Sequence, residues 1–281
     1  MASPARPPSA SQFDVARLLD TATVSVRDVC CRGECRHRSD EECVGATHLV
    51  FPYRGTYLRH VGQAQAVADA NHVLLFNAGE GYQVSHPVEG GDANLVLQLA
   101  DALLDELAPA PLRRKGAAVA FRHQALRIDA RTQALVALLG HALRRGNCEP
   151  LEAEGLALTL ASRSLGARTA HVPGATRGRQ RLVDRVKLLL ASDPGRRWTL
   201  AEIAQEVGGS PVYLTQVFRQ VEGMPLYRYQ LQLRLARALD LLATATDVST
   251  LAHDLGFSSH SHFASAFRQA YGRSPSTFRA S

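Results

Sequence analysis

The sequence predicts an α+β chain: a small antiparallel β-barrel and a helical pair, then an all-α domain of two helix-turn-helix units joined by a long helix. Three observations carry that expectation. Between Val44 and Leu99 short apolar or alternating runs are separated by glycine-rich turns, the pattern of many short strands. After Arg181 the apolar period is helical nearly throughout. Within that stretch the chain also repeats itself. Ile203-Ala204-Gln205-Glu206-Val207-Gly208 recurs 48 residues later as Leu251-Ala252-His253-Asp254-Leu255-Gly256. Leu214-x-x-x-Phe218-Arg219-Gln220 recurs 49 residues later as Phe263-x-x-x-Phe267-Arg268-Gln269.

Residues 1–12 are rich in Pro, Ser and Ala and read as a disordered tail. Candidate strands are Thr47–Phe51, Thr56–Val61, His72–Phe76 and Leu95–Leu99, with Gly55, Gly62, Gly79, Gly81 and Gly90-Gly91 between them. Such strands close into a barrel or stack as a sandwich. Residues 100–108 either continue as a helix or end the last strand. Helical stripes follow: Leu135, Leu138, Leu139 and Ala142 over Thr132–Leu143, then Leu156, Leu160 and Ala161 over Leu151–Leu165. Two amphipathic helices behind a β-domain can cover its face or pair with a second subunit, and the period alone does not choose. Residues 167–180, with Gly, Pro, Thr and Arg and no period, read as a linker. The expected partition is therefore 1–12, 13–166, 167–180 and 181–281.

Each copy of the repeat is a short apolar helix, a glycine turn and a second helix with apolar residues at i, i+3, i+4 (Leu214, Val217, Phe218; Phe263, Ala266, Phe267). That is helix-turn-helix grammar, because the turn needs a backbone conformation that glycine adopts cheaply. Thr199-x-x-Glu202 predicts a capping box, and Ser210-Pro211 an N-cap before proline at the first helical position. Asp247 and Ser258 are candidate caps for the two helices of the second copy. Leu231, Leu235, Ala238 and Leu242 put an apolar stripe on one long helix from about Pro225 to Ala243, which would hold the two units at a fixed distance.

The 281 residues carry 32 Lys+Arg against 26 Asp+Glu, a formal charge of +6, too weak a field to name a partner. Residues 1–166 hold 17 basic and 18 acidic residues, 167–180 hold three arginines and no acid, and 181–281 hold 12 basic and 8 acidic. The surplus belongs to the repeat-bearing end, which points to an anion-binding module joined to a neutral one. No apolar run approaches a membrane-spanning length, and the first residues lack an apolar signal core. A cytoplasmic chain with no membrane partner and reduced cysteines is expected. No nucleophile, phosphate-loop or paired-carboxylate constellation is recognisable, so no enzymatic activity, catalytic residue or cofactor is expected.

Residues 181–280 resemble the C-terminal domain of the AraC/XylS transcription regulators. The resemblance rests on LAEIAQEVGGSPVYLTQVFRQVEGMPLYRYQLQLRLARALDLL followed by VSTLAHDLGFSSHSHFASAFRQAYGRSPSTFR. Gly256-Phe257-Ser258, Phe263, Phe267, Tyr271-Gly272 and Ser274-Pro275-x-x-Phe278-Arg279 follow the family signature most closely. The resemblance implies a seven-helix domain whose two recognition helices enter adjacent major grooves of double-stranded DNA. It also favours activation, with RNA polymerase as a partner, over repression. With the apolar stripe of each second helix turned inward, the opposite faces offer candidate DNA contacts. These are Val212, Thr215, Gln216 and Arg219 in the first copy, and His260, Ser261, Ala264, Ser265 and Arg268 in the second. Gln216 suits adenine, Val212 or Ala264 a thymine methyl, and His260 and Ser265 either partner, whereas Arg219 and Arg268, late in their helices, suit phosphate.

The segment LVFPYRGTYLRHVGQAQAVADANHVLLFNAGEGYQVSHPVEGGDANLVLQL resembles the cupin-like sensor domain of many such regulators, with Asp69, Asn71 and Gly90-Gly91-Asp92 at the matching positions. A sensor and dimerisation unit, a small-molecule effector and a homodimer are expected. The H-x-H of metal-bearing cupin enzymes is absent. His48, His60, His72 and His86 lie 12, 12 and 14 residues apart and read as strand or turn histidines. Tyr53, Arg54, Arg59 and Tyr82 are candidates for a barrel pocket, weighed against ordinary surface roles.

Cys30, Cys31, Cys35, His37 and Cys43 fall within 14 residues. Thiolate and imidazole are ligands that zinc or copper(I) prefers, and neighbouring arginines favour thiolate. Three readings stay open: a strand-to-loop segment with free thiols, a redox or thiol-reactive switch, and a metal site, although the spacing lacks paired C-x2-C clamps. Cys31-Arg32-x-x-Cys35-Arg36 also resembles the first cysteine pair of Ada-type DNA-repair regulators, but the second C-x2-C pair that those proteins need is missing. The combined expectation is a sequence-specific regulator that couples a signal at its N-terminal half to promoter binding. The alternative is a thiol- or metal-responsive regulator that senses through the Cys30–Cys43 cluster.

Overall fold

The computed structural model describes residues 13–33, 36–116, 118–166 and 175–280. The expected tail, Cys35 and residues 167–174 of the expected linker lie outside them. In the first half, β1 (Phe13–Asp20), β2 (Val24–Cys31), β3 (His48–Arg54), β4 (Tyr57–Val61), β5 (Ala64–Ala68), β6 (His72–Phe76), β7 (Gln83–Ser85), β8 (Asp92–Leu99) and β9 (Ala125–Arg127) form two antiparallel sheets. One has the order β1-β2-β8-β3-β6-β9, the other β5-β4-β7. No ladder joins the two among the described residues, so the strands do not close by hydrogen bonding into a single barrel.

Strands β3, β6 and β8 are buried on both faces. Leu49, Phe51, Val73, Leu75, Leu95 and Leu97 share one core, whereas Val50, Leu74, Phe76 and Val96 share another with Tyr57 and Ala68 of the smaller sheet. Two-sided burial is why these strands read as unbroken apolar runs. The expected strand region began at Val44, and the structure places two further strands before it. β1 is an edge strand exposed along most of its length, so it carries no burial pattern to read. β2 does alternate, with Val24 and Val26 buried between half-buried Ser25 and Arg27.

Helices α1 (Asp101–Leu107), α2 (Ala130–Arg145) and α3 (Pro150–Leu165) follow. Leu104, Leu139, Ala157, Leu160 and Ala161 belong to the same core as Phe51, Leu75 and Leu97. The helical pair therefore covers the larger sheet. The open question over residues 100–108 resolves as a helix. α2 has a second apolar edge, where Ala137 and Leu138 pack against the core of the last helices.

The C-terminal part consists of α4 (Arg177–Ser192), α5 (Leu200–Val207), α6 (Pro211–Glu222), α7 (Leu226–Leu241), α8 (Val248–Asp254), α9 (His260–Tyr271) and α10 (Pro275–Ala280). α4 takes in residues 177–180 of the expected linker, because Thr176 caps it by accepting from the Arg179 amide. The capping box at Thr199 and Glu202 forms, and Ser210 and Asp247 cap α6 and α8. At α9 the cap is Ser259 rather than Ser258: Ser259 accepts from the His262 amide, while the Ser258 hydroxyl sits 3.0 Å from His262 Nδ1. Each copy of the repeat has its own core. Val186, Ile203, Val217 and Phe218 belong to the first, Leu251, Phe257, Phe263 and Phe267 to the second. α7 runs between them, giving Leu226 and Tyr229 to one and Leu235, Ala238 and Leu239 to the other. Gly256 has φ +79°, and a Cβ there would lie 2.3 Å from the Gly195 carbonyl oxygen, so the second turn needs glycine for both torsion and space. No helix among the described residues is long and apolar enough to cross a membrane.

Candidate nucleic-acid interface

Helices α6 and α9 each bury one stripe and expose the other. Leu214, Val217, Phe218, Phe263 and Phe267 are buried, whereas Val212 is 69% exposed. Thr215, Gln216, Arg219, His260, Ser261, Ser265 and Arg268 are exposed and Ala264 is half-buried. Every candidate contact thus lies away from the core on its own helix, as the 3.6-residue period requires. Tyr213 and His262 are also exposed and were not anticipated. Tyr213 lies three residues before Gln216, a spacing that shares a helix face and could have revealed it. His262 lies against Phe257, with ring centroids 5.5 Å apart.

The far end of α6 is anchored to the β-half. Glu222, its last residue, accepts from Lys187 Nζ of α4 at 2.5 Å and lies 3.4 Å from His72 Nε2 of β6. Its carbonyl accepts from Arg127 of β9 at 2.5 Å, a cation at a helix C-terminus where the backbone dipole favours one. His72 Nδ1 meets Asp69 at 2.8 Å, and Asp69 also accepts from the Tyr229 hydroxyl of α7. Asn71 donates to the Tyr229 carbonyl at 3.3 Å. Arg54 forms a two-pronged pair with Asp240 of α7, both contacts at 3.0 Å. The matching residues Asp69 and Asn71 therefore serve the seam between the halves.

The charges in this seam sustain one another. Burial opposes ionisation of Glu222, yet Lys187 and His72 hold its carboxyl well below the usual range. Burial opposes Asp69 too, and His72 with Lys187 outweighs it. Burial and Lys187 lower the His72 imidazole, but Asp69 and Glu222 raise it on balance. Lys187, against its own burial, is raised by Glu222, Asp69 and Asp184.

Among the described residues of the cysteine segment, the thiols point apart. Successive side chains of a strand point to opposite faces. Cys30 has Asp28, Tyr53 and Arg54 as its electrostatic neighbours, whereas Cys31 lies beside His86 and Asp92. Cys43 is exposed, and Cys35 lies outside the described residues. Burial pushes the Cys30 thiol up, with Asp28 adding to it, and Arg54 offsets this only in part. The net direction disfavours the Cys30 thiolate. Among the pocket candidates, Arg59 is fully buried, its guanidinium 3.7 Å from the Phe76 ring centre and donating to the Leu75 carbonyl at 2.8 Å. It has no surface role. Tyr53 donates to Asp28 and Tyr82 to Glu42.

Two helix pairs with outward polar faces thus lie at the basic end of the chain. A helix-turn-helix domain model matches residues 203–281. The transcriptional activator AarP of Providencia stuartii is 32% identical over 101 residues, 36% of this chain and 75% of that protein. The activator RhaR of Klebsiella pneumoniae is 34% identical over 108 residues, 38% of each. The arabinose operon regulatory protein of Salmonella typhimurium is 29% identical over 159 residues, 54% of this chain and 55% of that protein. The chain belongs to the AraC/XylS family of transcription regulators. It spans 40% and 38% of the length of the first curated relatives it matches. Among solved structures, an AraC-type regulator from Chromobacterium violaceum is 30% identical, covering 37% of this chain and 95% of that one, with a TM-score of 0.35. An apo ToxT from Vibrio cholerae is 13% identical over 93% and 98% of the two chains, with a TM-score of 0.38.

Proposed function

We propose that this chain is a cytoplasmic, sequence-specific transcriptional activator that couples a small-molecule signal to promoter binding. Residues 13–166 act as a cupin-like sensor and dimerisation unit, and 181–281 as the DNA-binding unit. α6 and α9 enter adjacent major grooves of double-stranded DNA. Val212, Thr215, Gln216, His260, Ser261, Ala264 and Ser265 meet base edges, and Arg219 and Arg268 clamp phosphates. The bound homodimer contacts RNA polymerase. Activation rather than repression follows the names of RhaR and AarP. The chain carries out no catalysis, in keeping with relatives that are regulators.

The observation that carries the coupling is the seating of Glu222. The last residue of α6 is ion-paired to the β-half through His72, and Arg127 holds its carbonyl. A signal that shifts β6 or β9 would therefore bear on α6 directly. The space for an effector is a cavity of about 200 Å³ between the two sheets, with Tyr57, Phe76, Tyr82 and Val96 in its wall. The test is footprinting of the full chain on genomic DNA fragments at two salt concentrations. Protection of two sites in successive major grooves, weakening steeply with salt, is the expected result. Affinity that does not change with salt or with sequence would refute the reading.

A further inference from the structure

Beside the inter-sheet cavity, whose wall includes His86 and Asp92, three buried side chains of different chemistry converge. The thiol of Cys31, the imidazole of His86 and the carboxylate of Asp92 offer ligand atoms that all lie within 4.8 Å of one another. They are 8%, 4% and 6% exposed. The fold brings them together from three places. Cys31 ends β2 and lies directly opposite Asp92, the first residue of β8, in the antiparallel ladder. His86 follows β7, the strand of the smaller sheet. Its Nε2 now meets Asp92 Oδ2 at 2.7 Å.

The surroundings are built closely around this trio. Gly91 has φ +69°, and a Cβ there would lie 2.3 Å from the Cys31 carbonyl oxygen, so the chain at residue 91 can press on Cys31 only as glycine. The Gly33 amide donates to the Cys31 sulfur at 3.4 Å. Asn94 donates through Nδ2 to Asp92 Oδ1, fixing that carboxylate and leaving its other oxygen toward His86. Such outer contacts orient ligands in metal sites. One buried polar atom beside the trio, Asn94 Oδ1, is left without a partner, while the His86 ring interacts with the Cys31 thiol as well as with Asp92. Asn94 and His86 both line the cavity. An unpaired polar atom at this depth is costly and calls for an explanation.

We propose that Cys31, His86 and Asp92 form a binding site for a divalent cation of the zinc class, with its remaining coordination position toward the inter-sheet cavity. Sulfur, imidazole nitrogen and carboxylate oxygen are the donors that zinc takes, and three protein ligands leave one of four positions open. Softer or harder cations fit this mixed set less well. Donors about 2.0–2.3 Å from a tetrahedral metal lie roughly 3.3–3.7 Å from one another, so small side-chain shifts bring the three into place. Of the Cys30–Cys43 segment the site takes only Cys31.

The test is titration of the chelator-treated full chain with cobalt(II), followed by X-ray absorption of the zinc-loaded protein. One ion per chain is expected, with a sulfur-to-cobalt charge-transfer band and strong tetrahedral visible bands. Cys31→Ser removes the charge-transfer band, and His86→Gln and Asp92→Asn each weaken binding at least tenfold. Cys30→Ser and Cys43→Ser leave the spectrum unchanged. Zinc absorption shows one sulfur among otherwise nitrogen and oxygen neighbours, a readout in unaltered protein that does not depend on any variant folding. Absence of stoichiometric binding, a band that survives Cys31→Ser, or two or more sulfur neighbours overturns the proposal. Loss of DNA binding has no bearing on these readings.

Discussion

His72 on the six-stranded sheet and Glu222 at the last turn of α6 lie 3.4 Å apart, both buried. This contact between a histidine of the β-half and the end of α6 ties the two halves together. A buried ion pair is weak as a source of net stability but expensive to break on one side.

Docking of the halves should loosen first on the alkaline side. The His72 pKa is raised in the folded chain, so its contribution is complete below the ordinary histidine value of about 6.5 and fades as pH rises through the raised value. Glu222 and Asp69 are lowered, so their contribution is present above the usual carboxylate range and is lost only as pH falls through their lowered values. Lys187, Asp184, Tyr229 and Arg127 also face this cluster. Hydrogen exchange of the α6 and β6 amides, corrected for intrinsic rates, reads this. Protection of α6 that stays flat from about pH 6 to about pH 10 would contradict it.

Glu222→Gln should strand Lys187 without its closest partner and cost about 3–5 kcal/mol. The double variant Glu222→Leu with Lys187→Met should cost much less, because neither charge is then left buried alone. Denaturant unfolding of the two variants separates the cases. Equal losses would mean that the pair is not coupled.

Phe267→Ala removes a ring packed against Phe263, Tyr271 and Phe278 and should cost about 3–5 kcal/mol of stability. Gln216→Ala, on the exposed face of α6, should leave the melting temperature alone. It should lower affinity for the cognate site by about 1–3 kcal/mol, with relaxed preference at a single base pair. A Gln216→Ala protein that binds every sequence equally less well would place that residue on phosphate instead.

Arg219→Ala and Arg268→Ala should each weaken binding to all sequences and flatten the salt dependence by about one unit in the log–log slope. Gel-shift titrations over several salt concentrations measure this. A slope that does not move would remove both residues from the phosphate contacts.

The helix-turn-helix end was legible because its signals are local. Leu214, Val217 and Phe218 declare an inward face within five residues, and Thr199 with Glu202 declares a helix start within four. Edge strand β1 was not, since exposure leaves no alternation to detect. Asp69 and Asn71 stood out as a motif, but their partner Tyr229 lies 160 and 158 residues away. Residue adjacency misled at the cysteines, where the pleat turns Cys31 toward His86 and Cys30 toward Tyr53.

By itself the sequence determined what repeats at short range: two copies of a helix pair, their caps, their buried phenylalanines and the outward side chains of α6 and α9. Periodicity and capping are properties of a few neighbouring residues, so no tertiary knowledge was needed. The pairing of His72 with Glu222, the burial of Arg59, and the meeting of Cys31 with His86 and Asp92 were decided only by tertiary structure. Each joins residues that are brought together by sheet register or by the docking of one half on the other, and chain spacing carries no record of either.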